Sequence, residues 1–189
     1  MYAKEMLKQS LPLLILCGFG AIVAGSTLSL MRDLFDPSNP DSIPGLIVVI
    51  PAIIAMRGNI STAFGSRLGS AYHLGIIDAE NLWNDELKQN IFGSIVLGFL
   101  VSIIIGILAY FSSFLLGVNP NAVKLITIVI IAGLISAFIL TLLTIMIIYM
   151  VFKRGYDPDN ITGPALATFG DIITMMSIFG SALLVEVIM

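Results

Sequence analysis

Charge is scarce in this chain. It has 9 Lys and Arg and 12 Asp and Glu in 189 residues, 11% in all, against about 25% in a soluble domain. Apolar residues make up 58% of the chain and the mean hydropathy is +1.03. A soluble fold of this length has too much surface to hide so much apolar material, so lipid must solvate most of the chain. Cysteine is nearly absent. Cys17, inside an apolar run, excludes an intrachain disulfide and a thiolate metal cluster, and is expected to be a small packing residue. The single histidine, His73, excludes a multi-histidine metal centre within one chain. A phosphate-cradling glycine loop, a nucleophile–base triad and a basic nucleic-acid patch are all missing. Neither an enzyme nor a nucleic-acid binder is therefore expected, and no prosthetic group.

What the chain does have is long uncharged runs. They predict an all-α polytopic membrane protein with helices over 11–31, 43–76, 90–117, 122–153 and 161–187, since about 20 apolar residues span a 30 Å hydrocarbon core. Lys4 and Lys8 precede a first run of spanning length, so a cleavable signal peptide is not expected. The polar connectors are short, so one membrane domain over 1–189 is expected, without a cytoplasmic regulatory domain. The third and fourth runs carry no charge in their apolar stretches and are expected to be scaffold. The second is different. It holds Pro51 and Arg57, followed by Gly58, Ser61, Thr62, Gly65, Ser66 and Gly69 at three- and four-residue spacing. This predicts a long helix, kinked or broken, with one face of small and polar residues. Such irregularity is tolerated in a bilayer only where protein or a wet cavity covers it.

Basic residues set the orientation. Lys4, Lys8, Lys88, Lys153 and Arg154, with Arg67 nearby, fall to one side, and Arg32 and Lys124 to the other. Six against two predicts the N-terminus in the cytoplasm and the C-terminus outside the cell membrane.

Asp171 lies about ten residues into the last run. A carboxylate at the centre of a membrane helix costs at least about 2.5–3.5 kcal/mol and needs a compensating partner. Thr168 and Thr174, three residues either side, supply hydroxyls, and Gly163, Pro164 and Gly170 make the segment irregular. Arg57 is the one intramembrane base that would neutralise Asp171. A structural Arg57–Asp171 pair therefore competes with a bound cation. Carboxylate, hydroxyl, amide and carbonyl oxygens are hard donors, suited to Mg²⁺, Ca²⁺ or Mn²⁺. One carboxylate does not strip hydrated Mg²⁺; two copies of Asp171 across a homodimer axis would balance its charge and leave water as the remaining ligands. Glu186 is expected at the membrane interface, and Met146, Met150, Met175 and Met176 in packing.

Two stretches carry a family resemblance. PGLIVVIPAIIAMRGNISTAFGSRLGSA (Pro44–Ala71) and DPDNITGPALATFGDIIT (Asp157–Thr174) resemble the membrane domain of the MgtE magnesium channels and the related SLC41 divalent-cation transporters, with wording closer to the SLC41 type. The resemblance implies a homodimer whose pore is lined by the second and fifth spans, with a hydrated Mg²⁺ at Asp171. Ala167 matches a neighbouring pore position. Gly58 and Asn59 match the second-span Gly-Asn, with Thr62 and Ser66 in the pore-facing positions one and two turns later; Thr168 completes the expected cation set. Mn²⁺, Co²⁺ and Ca²⁺ are candidate cargo beside Mg²⁺. SLC41 chains carry two such units and this chain one. The MgtE gating domains have no counterpart here, and Arg57 puts a positive charge beside a cation path. A Na⁺- or H⁺-coupled exchanger and a non-transporting membrane subunit stand as the alternatives.

Overall fold

A computed structural model describes residues 2–36, 38–39, 41–77, 83–156 and 158–189, with the side chains of 2, 3, 5, 6, 9, 13 and 158–160 left aside. Its elements are α1 (Tyr2–Leu30), α2 (Arg32–Phe35), α3 (Leu46–His73), α4 (Asp85–Leu115), α5 (Ala122–Lys153) and α6 (Pro158–Ile188). All but α2 contain a stretch long and apolar enough to cross a membrane. The chain is thus an all-α, multi-pass membrane protein, as its uncharged runs predict.

Helix ends follow local chemistry. The Asn84 side chain accepts from Leu87 N at 2.9 Å and Asp85 and Glu86 occupy the first turn, so α4 begins five residues before the expected position 90. The cap and the favourable dipole make helix out of residues that look like loop. Asn121 caps α5 in the same way through Lys124 N. The far ends of α4 and α5 close on Gly117 (φ 79°) and Gly155 (φ 68°). There the glycine and the residue after it donate back into the last turn, as Gly155 N does to Phe152 O and Tyr156 N to Val151 O. The first helix starts at Tyr2 and not near 11, with Pro12 inside it; a polar N-terminal extension has water for the carbonyl that Pro12 leaves free. In the expected loop after the first span, Arg32–Phe35 forms one helical turn and buries Leu34. Residues 78–82 of the charged connector and Asp157 lie outside the described residues.

The second span is long, as expected. It runs without interruption from Leu46 to His73, through Pro51 and through Gly58–Asn59. Pro51 lies past the first turn and leaves the carbonyl of Ile47 without its intrahelical partner.

Helices α3 and α5 form the centre, each touching α4 and α6 as well as each other, while α4 and α6 do not touch. Helix α1 packs on α6 and enters the main core through Ala24, with Met31 just past its end joining the same cluster. At the Tyr72 end of α3, a second cluster joins Phe64, Leu68, Ile148 and Phe152, with the Tyr72 and Phe152 rings stacked at 3.6 Å. Missing side chains let backbones approach, as small residues do in membrane bundles. Ser102 of α4 fills the place a β-carbon of Gly133 would take, and a β-carbon on Gly106 would meet Ile126 Cα at 3.2 Å. Large apolar groups such as Phe19, Ile22, Phe92, Leu108 and Phe111 are left on the outside, where lipid solvates them.

Candidate ion pathway

The register between α3 and α6 fixes the depth of each polar group. A β-carbon on Gly65 would meet Thr162 Cγ2 at 3.0 Å and Leu166 Cδ1 at 3.3 Å, so Gly65 lies level with residues 162–166. The two helices run in opposite senses and rise equally per residue. Counting outward from that contact, Ser66 falls level with Gly163, Thr62 with Ala167, Asn59 with Gly170 and Gly58 with Asp171. By this count the seven expected site residues span the same depths on two touching helices.

Within α3, Asn59, Thr62 and Ser66 are all exposed and Gly58 is half-buried. Their three- and four-residue steps place the exposed three along one stripe. On α6, Ala167 is exposed and Asp171 half-buried, one turn apart. Among the described residues the Asp171 carboxylate has no hydrogen bond and no ion pair; the one salt bridge is Lys88–Asp85 at 3.1 Å, in the connector before the α4 apolar stretch. No group of three or more His, Cys, Asp or Glu side chains gathers to hold a metal among the described residues. A cation at Asp171 would be met by one carboxylate per chain and otherwise by amide, hydroxyl and water oxygens.

Thr168 sits apart from this set. It is 4% exposed, and its hydroxyl lies 2.8 Å from Pro164 O and 2.6 Å from the Cys17 sulfur. Cys17 in turn donates to Pro164 O at 3.1 Å. Its methyl faces α1, 2.5 Å from the β-carbon position of Gly20. Thr168 therefore ties α6 to α1. Cys17, expected only to pack, belongs to that tie; a lone thiol in an apolar run gives no sequence signal of it. Thr174 is fully buried with its hydroxyl unpartnered.

Arg57 turns the other way. It is 1% exposed, and its guanidinium rests on α4, with Nη2, Nη1 and Cζ at 2.5, 2.8 and 3.1 Å from the β-carbon position of Gly98. The competing Arg57–Asp171 pair is not formed.

Residues 50–181 match the model of the MgtE family, described as a divalent cation transporter. The chain belongs to the MgtE family. It is 29% identical over 171 residues to solute carrier family 41 member 2 of Gallus gallus, covering 85% of this chain and 28% of that protein; the figures for the Homo sapiens protein are the same. Solute carrier family 41 member 3 of Rattus norvegicus is 27% identical over 169 residues, covering 86% of this chain and 35% of its own. This MgtE-family chain thus spans about a third or less of the length of these relatives. No solved structure matches it. The family match contains Gly58, Asn59, Thr62, Ser66, Ala167 and Asp171.

Proposed function

We propose that this chain carries divalent cations, Mg²⁺ foremost, across the membrane along α3 and α6 of a homodimer, with the hydrated ion held at Asp171. The observation that carries this reading is the half-buried Asp171 carboxylate, free of any partner among the described residues and level with Gly58 beside Asn59. A carboxylate at mid-membrane depth persists where it faces a cavity or a counter-ion. The protomer's buried arginine is turned onto another helix, so a mobile cation is the natural counter-ion. The family description and the oxygen-only donors favour a hard divalent ion.

The second copy follows from the α3 stripe. Asn59, Thr62 and Ser66 are exposed on the protomer in a helix that crosses the hydrocarbon, where lipid offers them no hydrogen bonds. A matching surface on another copy would shield them from lipid around a wet path and bring two carboxylates to one ion. The six-against-two distribution of basic residues supports a cytoplasmic N-terminus.

Purified protein in liposomes loaded with a divalent-sensitive dye tests the reading. Wild type is expected to take up Mn²⁺, competed by Mg²⁺, and both Asp171→Asn and Asp171→Ala are expected to lose that flux. Variants that transport like wild type would overturn it. A flux that appears only under a Na⁺ or H⁺ gradient would identify a coupled exchanger at the same carboxylate.

A further inference from the structure

Arg57 is the most costly group in the bundle. It lies about two-fifths of the way along α3 and is 1% exposed. Nη2 donates to the Met56 sulfur at 3.6 Å, a weak acceptor, and Nε has no partner. No carboxylate among the described residues pairs with it. An arginine guanidinium keeps its charge in proteins, and an isolated buried charge is strongly unfavourable unless an opposite charge compensates it. The α3–α6 register supplies that charge, because Arg57 falls at the depth of Asp171 and Ile172. The two cannot meet as a contact pair. Arg57 is held on α4 by the missing side chain of Gly98, Asp171 is on α6, and α4 and α6 do not touch. They lie toward different neighbours of α3, the guanidinium on α4 and the carboxylate on α6.

We propose that Arg57 is a fixed counter-charge to the cation pathway, setting how firmly Asp171 retains an ion and weakening retention of a divalent cation more than that of a monovalent one. The inference rests on the reading of Asp171 as the cation's ligand. With no ion present, the guanidinium stabilises the carboxylate through α3; with an ion present, it repels the ion in proportion to its charge. Transport needs binding that is favourable enough to admit an ion and weak enough to release it, and a repulsive charge one helix away supplies the second condition. Taking a separation of roughly 10–12 Å, about one interhelical spacing, and an effective dielectric constant of about 40 for a wet path, removing one unit charge strengthens monovalent binding about threefold and divalent binding by the square of that, about tenfold.

The test is Mn²⁺ titration of the protein in nanodiscs, read by the electron paramagnetic resonance of free Mn²⁺, with Na⁺ as the monovalent competitor. Arg57→Met is expected to bind Mn²⁺ about tenfold and Na⁺ about threefold more tightly than wild type, while Arg57→Lys stays near wild type. A monodisperse Arg57→Met protein with unchanged Mn²⁺ affinity, or with both ions shifted by one common factor, would overturn the proposal. Where Arg57→Met is not monodisperse, Arg57→Gln is titrated under the same criteria. Asp171→Asn in the same assay separates the two ideas. If it leaves wild-type Mn²⁺ binding intact, the ion is held elsewhere and the reading of Asp171 falls, taking the counter-charge with it. If it abolishes binding while Arg57→Met shows no charge-dependent shift, only the counter-charge falls.

Discussion

The Arg57 guanidinium occupies the space a side chain at Gly98 would need, with Nη2 2.5 Å from the β-carbon position. A glycine on α4 thus decides where the charge on α3 points. Gly98→Ala forces the guanidinium aside in a packed interior, at a cost of about 1–3 kcal/mol, as overpacking does. Thermal unfolding in detergent is expected to show that loss. The double variant with Arg57→Met, whose tip is more compliant, is expected to recover part of it. Additive effects of the two substitutions would show that the residues do not share this space.

Gly20 and Thr168 join α1 to α6 in a comparable way. The Thr168 methyl stands 2.5 Å from the β-carbon position of Gly20, and its hydroxyl bonds to Pro164 O and the Cys17 sulfur. Gly20→Ala is therefore expected to destabilise the protein by about 1–3 kcal/mol. Thr168→Ser in that background removes the methyl, keeps the hydroxyl and is expected to restore most of the loss. Thr168→Val, which keeps the methyl and drops the hydroxyl, is expected to restore none. Unfolding midpoints of the four proteins decide it.

Asn84 holds the junction between α3 and α4. Its Oδ1 accepts from Leu87 N at 2.9 Å and its Nδ2 donates to Ile76 O at 2.7 Å. Asn84→Ala loses a cap worth about 1 kcal/mol and the bond to Ile76 as well. Asn121→Ala loses the corresponding cap on α5. Asn84→Ala is expected to lower the unfolding midpoint more than Asn121→Ala. An equal or smaller effect would show that the Ile76 bond contributes nothing.

The spans were legible because length and lack of charge are the whole signal for crossing lipid. Their ends were less so. Asp85 to Lys88 look like a loop until Asn84 is recognised as a cap, and residues 2–10 look like a polar tail although helix continues through them. Depth was legible too: Asp171 and the Gly58–Asn59 pair are central in their runs, and counting from the Gly65 contact gives them similar depths. Facing was not. In a soluble helix the apolar stripe marks the inner face, but lipid and core are equally apolar, so α3 and α6 carry no such contrast. Three residues along a helix is about 300°, leaving Thr168 some 60° from Asp171. That offset is enough for packing to turn its hydroxyl toward Cys17. The side on which Arg57 lies depended on Gly98, 41 positions away, which no local pattern encodes.

The α3 stripe gives the most direct check on where water runs. Asn59, Thr62 and Ser66 are exposed on the protomer, whereas Ser61, among them in sequence, is 6% exposed and faces inward. Cys17 is the chain's one cysteine, so Cys17→Ser provides a background without reactive thiols and keeps a hydrogen-bonding group beside Thr168. In that background, Asn59→Cys, Thr62→Cys and Ser66→Cys are expected to react with a charged methanethiosulfonate reagent, which requires water to reach them as the thiolate forms. Ser61→Cys is expected to stay inert. Mg²⁺ in the millimolar range is expected to slow modification most at Asn59→Cys, of the three the nearest in depth to Asp171, and least at Ser66→Cys. A stripe that faces lipid would leave all four unreactive. Reaction at the three exposed positions without protection by Mg²⁺ would mean that water enters along α3 while the ion travels elsewhere.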